Sequence, residues 1–335
     1  MKTLFDETRI GPVTLRNRFI RSATWEAMAD SARHPTERLV EVYRNLAKGG
    51  VGLIITSATL ITPDATGPPG MLAIHDDAFI PEYRDLTSMI HQNGCPVVMQ
   101  LVFPGRNGEM WSPSVPSREE IHAIVRSFGD CAVRAKEAGF DGVQLHAGHG
   151  YFLSQFLNAK KNTRTDDYAG SAGNRARLIL EIYDEIRARA GKDFGVLIKI
   201  NCSDFGEDDG VSEACRYACQ RLAARGIDAI EITGGAGTVP GLKETGFEES
   251  VLRNYAAEIA EEVSVPVIMV GVNRTLSVMD QLLNSTGIGY FSLSRPLLRQ
   301  PDLVNLWKND PGSVAECLSC DQCRQPGGNV CPFAS

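Results

Sequence analysis

The sequence predicts an α/β protein, a (β/α)8 TIM barrel with a short Cys-rich C-terminal tail, and two observations predict it. Short apolar or β-branched runs recur along the chain, each followed by a longer amphipathic stretch, and there are eight of them. The runs are apolar at successive positions rather than at alternate ones, as parallel strands covered by helices require. Strict βα alternation implies parallel strands joined by right-handed crossovers, and eight such units favour closure into a barrel. An open Rossmann-type sheet is the competing arrangement. It is disfavoured because no G-x-G-x-x-G opens a helix after the first strand.

Strands are expected near 19–24, 51–58, 96–102, 142–146, 196–202, 229–233, 267–271 and 290–294. Helical patterns are expected over 36–48, 82–92, 118–138, 174–190, 212–224, 248–262 and 276–283. The last unit ends near Trp307, so residues 1–310 read as the barrel and 311–335 as the Cys-rich tail. A chain of 335 residues suits one such domain. Its 43% hydrophobic and 22% charged content leaves ample material for a core.

Lys and Arg number 34 against 41 Asp and Glu, a net charge of −7. This mild acidity argues against a nucleic-acid partner, which calls for a basic patch. Apolar runs such as Val51-Gly-Leu-Ile-Ile55 are strand-length, short of the roughly 20 residues a bilayer demands. Asp6 and Glu7 arrive before any apolar segment, against a secretory leader. The expected location is the cytoplasm, the expected partner a small molecule, and homo-oligomer formation is left open.

In such barrels chemistry sits where strands end. The polar residues there include Ser22 to Glu26 after the first strand, Gln100 in the third, Lys199 within the fifth, Gly271 after the seventh and Ser294-Arg295 after the eighth. Gly271 lets backbone N–H groups approach an anion, and Ser294-Arg295 adds a hydroxyl and a guanidinium. Either alone is an ordinary turn glycine or surface arginine. Together, at the two strand ends where these barrels commonly bind phosphate, they favour a bound phosphate group.

Lys199 lies between Ile198 and Ile200. A buried lysine is expensive unless paired, and a closed barrel has no edge from which it could snorkel. It is either a Schiff-base nucleophile or a fixed positive charge beside an anionic cofactor.

The sharpest feature is His146-Ala-Gly-His149-Gly-Tyr151, leaving the fourth strand. Two imidazoles at this spacing could bind a metal or donate two hydrogen bonds to one oxygen. Asp204, Glu207 and Asp208 follow the fifth strand, but none completes a recognisable ligand pattern. Histidines satisfied within a core are the plainer reading, and a poorer one for a pair at a strand end.

The run from His146 through Gln155-Phe-Leu157, and on through Asn162-Thr-Arg164-Thr-Asp166-Asp-Tyr168 to Asn174-Arg-Ala-Arg177, resembles the old yellow enzyme family. So do Gly11-Pro-Val-Thr-Leu-Arg-Asn17-Arg18, Gly50-Val-Gly-Leu-Ile54, Gln100-Leu101 with Gly105-Arg106, and Ser294-Arg-Pro296. The resemblance covers about the first 310 residues and is strongest to the bacterial branch that includes the barrel domain of 2,4-dienoyl-CoA reductase. It implies one non-covalent FMN, with Ala23, Thr24 and Ala58 lining the isoalloxazine ring and Gln100 on its pyrimidine edge. Lys199 stands where the family usually has arginine, and Gly271, Ser294 and Arg295 would hold the phosphate. It further implies an ene-reductase. NADH or NADPH reduces the flavin, His146 and His149 bind the carbonyl oxygen of an α,β-unsaturated substrate, hydride reaches the β-carbon, and Tyr151 protonates the α-carbon.

The chain departs from the family pattern at Phe103, usually His, and at Trp25, beside the position commonly Cys or Thr. It also departs at Ala169 and Ala159. Phe103 and Trp25 are the candidates for lining the substrate. Other chemistries on the same fold stay open, such as dienoyl-CoA reduction, demethylation or NADH oxidation, as does flavin binding without turnover. A metal-dependent hydrolase built on the histidine pair is the reading from another class.

Five of the nine cysteines lie in apolar segments as small hydrophobes. Cys317, Cys320, Cys323 and Cys331 crowd the C-terminus and resemble the cluster-binding cysteines of dienoyl-CoA reductases. The third cysteine comes one residue early and the fourth gap is short. Four thiolates could hold a [4Fe–4S] cluster or zinc. A thiol-rich tail without metal is the equal alternative, and the lack of a following electron-donating domain counts against the cluster.

Overall fold

The computed structural model describes residues 1–207, 209–235, 249–325 and 327–334. Eight parallel strands form a closed ring: β1 (Phe19–Arg21), β2 (Leu53–Ile55), β3 (Val97–Val102), β4 (Gly142–Ala147), β5 (Gly195–Asn201), β6 (Ala229–Thr233), β7 (Val267–Met269) and β8 (Ile288–Leu293). Each pairs with the next, and β8 closes on β1 through Phe291 opposite Phe19. This is the expected (β/α)8 barrel. Helices Glu37–Lys48, Ile80–Gln92, Arg118–Glu137, Ala172–Ala190, Val211–Ala224, Arg253–Glu262 and Leu276–Ser285 lie between the strands. The helix expected from Glu248 begins at Arg253; residue 248 lies outside the described residues.

Local chemistry fixes several helix starts. Ser117 and Glu120 form a reciprocal capping box at the head of Arg118–Glu137. Thr36 and Ser171 accept from the backbone N–H groups of Leu39 and Asn174. Among the described residues no helix is long and apolar enough to cross a membrane.

The barrel interior is layered. Ile20, Leu53, Ile55, Val98, Leu197, Ala229, Ile268 and Tyr290 pack as one cluster at the N-terminal end of the strands. The hairpin Thr8–Ile10/Val13–Leu15 plugs this end with Ile10, Val13 and Leu15. Strand side chains repeat every second residue. Two residues beyond Ile20, Val98, Leu197, Ala229 and Tyr290 come Ser22, Gln100, Lys199, Glu231 and Ser292, all buried. An apolar floor therefore carries a polar layer, and that layer is the base of the open C-terminal mouth.

The tail folds back over this mouth. Asn329 donates its side-chain N–H to the Trp25 carbonyl and its backbone N–H to the Glu26 carbonyl at 2.6 Å. Arg295 pairs with Asp321, and Arg299 with Glu316.

Candidate active site

A cavity of about 850 Å³ opens at the C-terminal mouth. Its wall includes Ala23, Thr24, Trp25, Ala58, Gln100, His146, His149, Tyr151, Lys199, Ser294 and Arg295, drawn from six strand ends, so the structure brings most of the sequence-selected residues together. The tail contributes Asp321, Cys323, Arg324 and Asn329, and loops contribute Met71 and Met110. None of these six was anticipated as a wall residue.

His146 is the last residue but one of β4 and is nearly fully buried, and its Nδ1 has no partner among the described residues. The chain then turns through His149 and Gly150, with φ of +58° and +77°. His149 pays for this left-handed backbone, rare outside glycine, with two contacts. Its N–H donates to Asn201 Oδ1 at 3.0 Å, and its Nε2 lies 3.0 Å from Thr233 Oγ1. The two imidazole rings stand 5.1 Å apart, and the Tyr151 ring is 5.2 Å from that of His146.

Burial, reinforced by His149 and Lys199, holds the His146 pKa well below the ordinary imidazole value. Burial and then Lys199 lower that of His149 to about 4, although its ring opens onto the cavity and water there softens the effect. Both imidazoles are neutral at pH 7, each with one donor nitrogen. Burial raises the Tyr151 pKa, against the opposing pull of Arg324.

Below them runs a buried hydrogen-bonded chain. Gln100 Nε2 donates to Gln144 Oε1, and Gln144 Nε2 to Glu231 Oε2, both at 2.8 Å. Ser22 Oγ donates to Glu231 Oε1 at 2.8 Å, and Lys199 Nζ reaches Glu231 Oε1 at 3.1 Å and Ser22 Oγ at 2.6 Å. Burial pushes the Glu231 pKa up, but Lys199, Gln144, Ser22 and Ser292 outweigh it, so the carboxyl stays below its usual value and ionised. Glu231 and Gln144 were missed in the sequence. Glu231 lies between Ile230 and Ile232 on a barrel strand, the same signal that marked Lys199.

A side pocket of about 100 Å³ holds Gly271, Ser292, Ser294 and Arg295 and opens on the ends of β7 and β8. Gly271 has φ of +121°, and Val272 follows at +57°. Ser294 and Arg295 line both the pocket and the main cavity. The Arg295 guanidinium donates to Asp321 Oδ1 at 2.6 Å. Ser292 Oγ is buried on the wall of this pocket. A cavity of this size, with Gln100 and Lys199 on its wall and a small side pocket that shares Ser294 and Arg295 with it, has room for a flavin mononucleotide.

Phe103, expected at the substrate, is not in this wall. It is buried edge-on between Trp111 and Phe152, at 5.6 and 5.2 Å, with the Arg106 guanidinium 5.5 Å from its ring. Trp25 does line the cavity, and its indole N–H is buried without a partner. Cys317, Cys320, Cys323 and Cys331 all line a second cavity, of about 400 Å³, with Arg295 and Arg299 on its wall. Among the described residues no three His, Cys, Asp or Glu side chains are placed to hold a single metal ion, at the cysteines or at the histidine pair. Asp208 lies outside the described residues.

Known proteins resemble this chain in sequence and in fold. A NADH oxidase of Thermoanaerobacter brockii is 30% identical over 342 aligned residues, 95% of this chain and 52% of that protein. The chain thus spans about half the length of that relative. Two solved structures share the fold. A 2-naphthoyl-CoA reductase complex gives a TM-score of 0.87 at 22% identity, covering 96% of this chain and 54% of that one. The old yellow enzyme homologue from Zymomonas mobilis gives 0.76 at 24%, covering 93% and 94%. The family model for NADH:flavin oxidoreductases and NADH oxidases matches residues 3–310. The resemblance read from the His146–Arg177 run therefore holds, and the chain belongs to the NADH:flavin oxidoreductase / NADH oxidase family.

Proposed function

We propose that the chain is an FMN-dependent ene-reductase that uses NADH or NADPH to reduce the C=C bond of an α,β-unsaturated carbonyl compound. The observation that carries this reading is the pair of neutral imidazoles, His146 and His149, facing one cavity with Tyr151 beside them. Bound FMN would supply hydride transfer from nicotinamide to the substrate β-carbon, chemistry no side chain here offers.

The protein residues bind, orient and protonate. Ala23, Thr24 and Ala58 would form the wall for the ring, and Gln100 and Lys199 would hold its pyrimidine edge. Gly271, Ser294 and Arg295 would take the phosphate. Each neutral histidine donates one N–H to the substrate carbonyl oxygen, where negative charge grows as the β-carbon is reduced. Thr233 and Asn201 hold His149 for this task. Tyr151 gives its hydroxyl proton to the α-carbon, and its raised pKa keeps that proton in place until it is needed. Trp25 bounds the substrate directly, whereas Phe103 shapes the site from behind, through Trp111 and Phe152.

We read the cavity shared by Cys317, Cys320, Cys323 and Cys331 as a [4Fe–4S] site, on the likeness of these cysteines to the cluster-binding cysteines of dienoyl-CoA reductases. A cluster there would supply one-electron transfer beside the main cavity. A second reading, NADH oxidation with dioxygen as acceptor, draws on the relative from T. brockii.

Binding of phenol, a mimic of the enolate oxygen, tests the clamp. His146→Ala with His149→Ala should keep stoichiometric FMN while phenol affinity falls about a hundredfold, two lost hydrogen bonds to a charged oxygen. Undiminished phenol binding in that variant would remove the assigned roles.

A further inference from the structure

Lys199 faces the cavity where a cation is expected beside bound FMN, yet its ammonium is already engaged. It donates to Glu231 Oε1 and to Ser22 Oγ, and Glu231 is completely buried. At Glu231 the barrel floor therefore carries an anion one hydrogen bond from its cation, and the pair is close to neutral as seen from the cavity. The same carboxylate dictates a direction. An ionised carboxylate only accepts hydrogen bonds, so Gln144 must turn its amide NH2 toward Glu231 and its carbonyl toward Gln100. Gln100 then spends one N–H on Gln144, which leaves its carbonyl oxygen and its other N–H for the cavity.

We propose that Glu231 is a positioning residue for FMN: it offsets the charge of Lys199, turns the Gln100 carbonyl toward the cofactor, and so lowers the reduction potential of the bound flavin. This rests on the reading of the cavity as an FMN site. An uncompensated cation at Lys199 favours the reduced, anionic flavin over the neutral oxidised form. A carboxylate 3.1 Å from that ammonium cancels most of its field.

The test is a redox titration of the FMN-loaded protein, with dissociation constants measured for oxidised and reduced FMN. Glu231→Gln keeps the side-chain shape and removes the charge. Reduced FMN should then bind about tenfold more tightly relative to oxidised FMN, which for a two-electron couple is a positive shift of about 30 mV. The pair Lys199→Met with Glu231→Gln removes both charges and leaves none unpaired, so its potential should return to the wild-type value. A structural role alone would weaken both redox forms alike and leave their ratio unchanged. FMN-loaded Glu231→Gln at the wild-type potential overturns the proposal. So does a double variant well below the wild-type potential, since Lys199 would then act as an unscreened cation. If Glu231→Gln does not fold, the double variant decides alone. Wild-type protein that takes up no FMN overturns the cofactor reading itself.

Discussion

His149 is held by its neighbours as much as by its own backbone. With φ of +58° it depends on Asn201 to hold its backbone N–H and on Thr233 to fix its ring. Thr233→Val should lower phenol or enone affinity about fivefold, the loss of one orienting hydrogen bond of about 1 kcal/mol, with FMN content unchanged. Titration calorimetry reads the affinity, and flavin absorbance the FMN content. The depressed imidazole pKa values also give a pH signature. The unfolded chain takes up protons below about 6.5, while folded His146 resists protonation well below that and folded His149 until about pH 4. Their contribution to stability is thus complete above pH 6.5 and is lost as pH falls toward 4. Urea melts at pH 7 and pH 5 should show a larger loss for wild type than for His146→Gln with His149→Gln; equal losses would contradict neutral burial. At this scale the sequence was legible where a polar residue sat visibly at a strand end, as at His146 and Lys199. Glu231, flanked by Ile230 and Ile232 as Lys199 is by Ile198 and Ile200, carried the same signal and was passed over; the sequence could not show that the two charges pair across adjacent strands. Phe103 lies behind the cavity wall, against Trp111 and Phe152, and sequence position cannot say to which side a loop residue turns.

The long helices and all eight strands were legible as elements, because each carries its own periodicity and several carry caps. Ser117 with Glu120 shows how local the signal is: Ser117→Ala should cost about 1 kcal/mol in a urea melt. Short helices left no such trace. Phe152–Leu157 has no side-chain cap and fewer than two turns, and it forms because Phe152, Leu153, Phe156 and Leu157 are buried. Strand contact is also exacting. A Cβ at Gly142 would lie 2.4 Å from the Gly195 carbonyl oxygen, across the β4–β5 pairing that sets His146 opposite Lys199. Gly142→Ala should therefore destabilise the fold by about 1–3 kcal/mol, read as a lower urea midpoint.

In the whole molecule the barrel supplies the floor and the tail part of the roof. Composition alone marked residues 311–335 as different, but could not show that Cys323, Arg324 and Asn329 would reach the cavity wall, since that depends on where the last helices leave the barrel. Anaerobically prepared protein should contain about four iron and four sulfide per chain, and Cys323→Ser should lose them while FMN is retained. The most direct test of the molecule as an ene-reductase is stopped-flow mixing of anaerobic, NADH-reduced protein with 2-cyclohexenone, following the return of flavin absorbance. Wild type should reoxidise and yield cyclohexanone, and His146→Ala with His149→Ala should be slower by about a hundredfold or more. Reoxidation at the same rate in both proteins, or none in wild type, would contradict the assignment.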